Sequence, residues 1–88
     1  MNEEKGIELT SGGYKILGNL INLKDLKISD AIRQRGGGQN QVNQLSTEYQ
    51  QVKVSKIANL AAQGNREAKT AIKILKQARK KKEKYGGK

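Results

Sequence analysis

With 88 residues and neither cysteine nor histidine, the chain has room for one small domain and lacks disulfides, thiolate or imidazole metal sites and every Cys- or His-based nucleophile arrangement. Eighteen Lys and Arg against eight carboxylates give a net charge of +10, a balance that points to a polyanionic partner. The longest charge-free apolar stretch, Ile16 to Leu23, is eight residues long, where a membrane-crossing helix needs about 20.

Ile, Leu and Val together make 19 of the 88 residues, with no Phe or Trp to enlarge a core. That share is near the level at which highly charged chains stay disordered, so the composition predicts help from self-association or a bound partner. The start, Met1-Asn2-Glu3-Glu4, is acidic and has no apolar run after it, unlike a secretory signal, and the expectation is a cytoplasmic protein.

No internal repeat stands out, and in the absence of proline, glycine supplies the punctuation. In the first block Leu17, Leu20, Ile21, Ile28, Ala31 and Ile32 share one helical face, which Leu23 and Leu26 leave. The pattern predicts two short helices, or one helix bent near Leu23 to Lys27. The competing reading is an α+β fold with an N-terminal β-hairpin, because Ile7-Glu8-Leu9 and Tyr14-Lys15-Ile16 flank a Thr10-Ser11-Gly12-Gly13 turn and Ile21 to Ile28 partly alternates. The triplet Gly36-Gly37-Gly38 closes this near-neutral segment, 1–38, and with the polar Gln39-Asn40-Gln41 run predicts a hinge or loop. Residues 39–88 then read as a basic helical hairpin with a Lys-rich tail, and the two segments as one domain in total.

The hairpin's first helix is predicted to start near Ser46 or Thr47, where Thr47 and Gln50 have the spacing of a capping box, and to run to Gln63. Val54, Ile57, Ala58 and Ala61 form its stripe, widened by Tyr49, Val52 and Leu60. Gly64 suits the left-handed residue that ends a helix, and Asn65 suits the cap of the next. In that next helix Ala68, Ala71, Ile72, Leu75 and Ala78 line one face, while Arg66, Lys69, Lys73, Lys76 and Lys80 fall on another. Glu67 at its start and lysines toward its end agree with the helix dipole. The fold class expected is all-α, a small helical domain with a C-terminal helical hairpin.

Charge is uneven. Residues 1–45 carry six cations against five carboxylates, residues 46–88 twelve against three. The five cations from Arg66 to Lys80 extend over roughly 21 Å at a rise of ~1.5 Å per residue, enough for several phosphates. On duplex DNA they predict a salt slope of about −4 to −5. Arg79, Lys80, Lys81, Lys82 and Lys84 carry the charge beyond the apolar stripe, as a fraying helix end or mobile tail. Lysine outnumbers arginine ten to two in this half, and lysine lacks the fork that reads guanine, so phosphate contact is expected over base readout. By analogy with a helix-turn-helix, Gln63, Asn65, Arg66 and Thr70 are candidates for whatever base contact exists.

Three tyrosines, Tyr14, Tyr49 and Tyr85, are too few for a base-stacking platform, and the first two fit apolar packing better. Arg35-Gly36-Gly37 is a single RGG, more simply a helix stop followed by a loop. The Gly12-Gly13 pair before Tyr14 resembles the double-glycine end of an exporter leader in bacteriocins, but Glu8-Leu9 is displaced from the usual spacing and the leader would be short. The carboxylates form no convincing acid/base pair and nothing suggests a perturbed lysine beside a serine, so no enzyme, cofactor or small-molecule substrate is expected. Besides the secreted membrane-active peptide that the bacteriocin resemblance would imply, two functions follow. The first is a small basic nucleic-acid-binding accessory protein on the phosphate backbone, DNA favoured over RNA. The second is a helical assembly or adaptor protein that self-associates through the Leu17, Leu20, Ile21, Ile28 and Ile32 stripe.

Overall fold

Thr10, in extended backbone, opens the first helix: its hydroxyl accepts from the Gly13 amide at 3.0 Å, supplying a partner that a helix start otherwise lacks. In a computed structural model, which describes residues 8–78, this helix is α1 (Ser11–Leu17), and it continues as a 3₁₀ stretch, Gly18–Leu23. After a turn follow α2 (Ile28–Gln34), the single-turn α3 (Gln39–Val42), a second 3₁₀ stretch (Tyr49–Gln51), α4 (Val54–Ala62) and α5 (Arg66–Gln77). The described residues are all-α, with α4 and α5 forming the expected C-terminal hairpin.

The first block is two helices with the break where the apolar register slips, at Leu23 to Lys27. The N-terminal hairpin does not form: Ser11 to Ile16 belong to α1, with Thr10 as cap instead of turn residue. The expected loop at Gln39-Asn40-Gln41 is α3, whose Gln41 side chain accepts from the Gly38 amide at 2.9 Å. The long helix from Thr47 to Gln63 is cut to Val54–Ala62. Thr47 caps nothing; the neighbouring Ser46 hydroxyl accepts from the Tyr49 amide at 3.2 Å and opens only a turn. The cause lies in distant sequence, since residues 52–54 are drawn into extended pairing with residues 26–28. Ile28 N–H donates to the Val52 carbonyl at 2.9 Å and Val54 N–H to the Leu26 carbonyl at 2.8 Å, making a one-residue antiparallel bridge between Lys27 and Lys53.

The two segments that meet in that bridge share a local path, without a repeat of fixed length: Gly36 lies nine positions after Lys27 and Gly64 eleven after Lys53. Leu26-Lys27-Ile28-Ser29 and Val52-Lys53-Val54-Ser55 follow the same path. In each, the lysine is an extended N-cap (φ −68°, ψ 150° and φ −69°, ψ 147°), the next residue starts the helix, and the serine is buried. Upstream, Leu26 N–H donates to Leu23 and Val52 N–H to Tyr49. Downstream, both helices stop in the same way. Gly36 and Gly64 take φ of 100° and 99°, a left-handed conformation open to glycine at little cost. The residues after them, Gly37 and Asn65, donate back to Ile32 and Leu60, the paired bonds of a Schellman stop. Only these four residues of each segment look alike in type.

Elements of both halves share one core of eleven large aliphatics and six alanines, including Leu17, Ile28, Ile32, Val42, Val54, Ile57, Ile72 and Leu75. Alanines at 58, 61, 68 and 71 let α4 and α5 approach closely, as small residues do in place of missing large ones. Gly12 and Gly13 serve α1 in the same way: a Cβ at Gly12 would stand 2.8 Å from the Ala62 Cβ, and one at Gly13 2.5 Å from Asn59 Oδ1. The double glycine therefore has a packing role against α4. No helix among the described residues is long and apolar enough to cross a membrane.

Candidate nucleic-acid interface

Helix α5 is set by its two ends. At the start, Asn65 Oδ1 accepts from the Ala68 amide at 2.9 Å, and Glu67 sits in the first turn, where the dipole favours an acid. At the finish, Arg35 reaches across from the end of α2: its Nε donates to the Leu75 carbonyl at 2.9 Å and a terminal nitrogen to the Lys76 carbonyl at 3.2 Å. These are the carbonyls that a continuing helix would offer to the amides of residues 79 and 80. The helix stops at Gln77, with Ala78 extended, so it is shorter than the stretch to Lys80 expected from the pattern.

Between these ends the two faces separate cleanly. Ala68, Ala71, Ile72, Leu75 and Ala78 are buried as expected, joined by Ile74. Arg66, Lys69, Lys73 and Lys76 are all exposed. At 100° per residue the four occupy an arc of roughly 80°, on the side of α5 away from the buried residues, and span about 15 Å. Among the described residues the ion pairs are Lys24 with Asp25 at 3.1 Å and Arg33 with Asp30 at 3.5 Å; none involves the α5 cations. Arg79, Lys80, Lys81, Lys82 and Lys84 lie outside the described residues.

Two of the residues considered for base contact are occupied locally. The Asn65 carbonyl oxygen is used as the cap, and the Thr70 hydroxyl donates to the Arg66 carbonyl at 3.1 Å. Gln63 and Arg66 are exposed. The lone RGG is likewise engaged, Arg35 by α5 and Gly36 and Gly37 by the end of α2.

Asn59, which the spacing did not single out, ties the chain's described start to α4. Its Oδ1 accepts from the Thr10 amide at 2.9 Å and the Thr10 hydroxyl at 3.2 Å, and its Nδ2 donates to the Glu8 carbonyl at 2.9 Å. Tyr49 packs against the core with its hydroxyl buried and unpartnered, and burial, with a smaller contribution from the Glu67 carboxylate, pushes its ionisation above the usual phenol value. Of the stripe proposed for self-association, Leu17, Ile28 and Ile32 are buried inside the chain, while Leu20 and Ile21 are half-buried. Comparison with protein-family models, with curated proteins and with solved structures returns no significant match.

Proposed function

We propose that the chain is a small nucleic-acid-binding accessory protein of the cytoplasm, holding the phosphate backbone of duplex DNA on the outer face of α5. The observation that carries this reading is the exposed arc of Arg66, Lys69, Lys73 and Lys76, with no carboxylate of the described residues paired to any of them. A lysine face that served solubility alone would work as well with carboxylates interleaved. Three of the four cations are lysines, point charges that fit phosphate oxygens and discriminate poorly among bases. The basic run Arg79 to Lys84 would add affinity without adding sequence choice. Duplex is favoured over single strand because no aromatic residue lies between Arg66 and Lys76 to stack a base.

The test is fluorescence anisotropy with duplex DNA, single-stranded DNA and RNA over a series of salt concentrations, for the wild type and Arg66/Lys69/Lys73/Lys76→Gln. The expected result is tightest binding to duplex DNA, and a slope of log affinity against log salt reduced by about 3.5 in the variant, each phosphate contact releasing ~0.9 counterion. Equal affinity of the two proteins on every substrate would remove the reading. Light scattering across concentration, without nucleic acid, tests the assembly reading, for which the half-buried Leu20 and Ile21 and the 55 % exposed Tyr14 are among the apolar residues left at the surface of the described chain.

A further inference from the structure

We infer a second anion site, separate from α5, on the bridge between residues 26–28 and 52–54, where Lys27 and Lys53 bind a phosphate group. The two lysines are directly opposed in an antiparallel bridge whose hydrogen bonds are made by their neighbours, Ile28 to Val52 and Val54 to Leu26. That is the non-hydrogen-bonded arrangement, with Cα atoms about 4.5 Å apart and both side chains leaving the same face. Like charges so placed repel, and the pairing is disfavoured on that account alone. Lys53 is also the N-cap of the nine-residue α4, a position where a cation opposes the helix dipole and where Ser, Thr, Asp or Asn is preferred.

Among the described residues no ion pair relieves the repulsion. Asp25 is paired with Lys24 and Asp30 with Arg33, and no ion pair joins Lys27 or Lys53 to a carboxylate among the described residues. Lys56, exposed one turn along α4 from Lys53, adds a third cation to the same neighbourhood. A local arrangement that breaks charge, dipole and capping preferences together is expected where function sets the residue type. A phosphate group, which keeps at least two unesterified oxygens whether free or in a diester, would offer an acceptor to each ammonium group. Its source is a phosphate of a nucleic-acid backbone or free inorganic phosphate, and the site stands whether or not α5 binds DNA.

Two measurements on the full chain decide it. Thermal unfolding of the wild type and Lys27→Gln/Lys53→Gln is followed by far-UV circular dichroism in low-salt buffer, then with inorganic phosphate or with sodium chloride at the same ionic strength. The variant is expected to melt higher than the wild type in low salt. Phosphate is expected to raise the wild-type melting temperature more than chloride does, and to lose that advantage in the variant. Salt-dependent anisotropy with duplex DNA separates the sources: with α5 intact, the variant's slope falls by about 1 if a backbone phosphate is the ligand. An unchanged slope alongside specific stabilisation by phosphate supports the site with free phosphate as its ligand. No phosphate-specific stabilisation together with an unchanged slope overturns the inference, as does a variant that melts below the wild type in low salt. The α5 substitutions test the other face independently.

Discussion

The Arg35 guanidinium and the Leu75 carbonyl are 40 residues apart in sequence and 2.9 Å apart in the fold. Together with the second bond to Lys76, this contact fixes the end of α2 to the end of α5 and puts a cation where the helix dipole favours one. Arg35→Gln is expected to destabilise the protein by about 1–2 kcal/mol, the range for a partly exposed charge-assisted hydrogen bond. Arg35→Lys should recover only part of that, since an ammonium lacks the planar fork that serves two carbonyls at once. Urea unfolding midpoints rank the three proteins, and unchanged midpoints would remove the capping role.

Asn59 and Gly13 are coupled. Replacing Asn59 by Ala removes three bonds to Glu8 and Thr10 and is expected to cost about 1–2 kcal/mol. Gly13→Ala adds helix propensity worth about 1 kcal/mol, yet its methyl would meet Asn59 Oδ1 at 2.5 Å, so the net effect should be destabilising. In the Asn59→Ala background the Gly13→Ala penalty should shrink. A double-mutant cycle by denaturant unfolding measures this, and additive effects would show that the contact is not the cause.

Alkaline pH should expose Tyr49. Its folded-state ionisation lies above the unfolded value of about 10, so the folded state holds the proton more tightly than the unfolded chain. The associated stability is complete below pH ~10 and is lost as pH rises through the raised folded value. Tyr49→Phe should therefore flatten the alkaline fall in melting temperature relative to the wild type, the lysine contribution being common to both. Near neutral pH the substitution removes a buried unpartnered hydroxyl and should be neutral or mildly stabilising. Parallel alkaline melting curves for the two proteins would contradict this assignment.

Ser55 is 1 % exposed, with a hydroxyl that has no hydrogen-bond partner. Ser55→Ala deletes that oxygen and leaves the backbone bond to Lys24 intact. Stability should stay within about 1 kcal/mol of the wild type or rise, because a buried hydroxyl without a partner costs desolvation. A loss of 2 kcal/mol or more in urea unfolding would mean that the hydroxyl is bonded after all.

What could be read from the sequence was local. The α5 stripe, its cap at Asn65, the left-handed Gly64 and the apolar residues of α4 all follow from neighbours within one or two turns, and all stand where expected. The start of α4 was misplaced because the pairing of Val52 to Val54 with Leu26 to Ile28 depends on residues 26 positions away. Arg66, Lys69, Lys73 and Lys76 were legible as one face because helical spacing alone puts them there. Lys27 beside Lys53, Arg35 beneath α5 and Asn59 against Thr10 were not, since each is brought about by tertiary packing. The matching Leu-Lys-Ile-Ser and Val-Lys-Val-Ser stretches were the one available signal for the bridge.

A chain so poor in large apolar side chains looked as though it would need a companion molecule. What the fold itself supplies is a pairing of two of its own segments at residues 27 and 53, antiparallel and so locally twofold over those few residues. The outward carbonyls of the same two lysines accept from the Ala31 and Ile57 amides, so each segment turns into its helix after a single rung and offers a third strand little to climb onto.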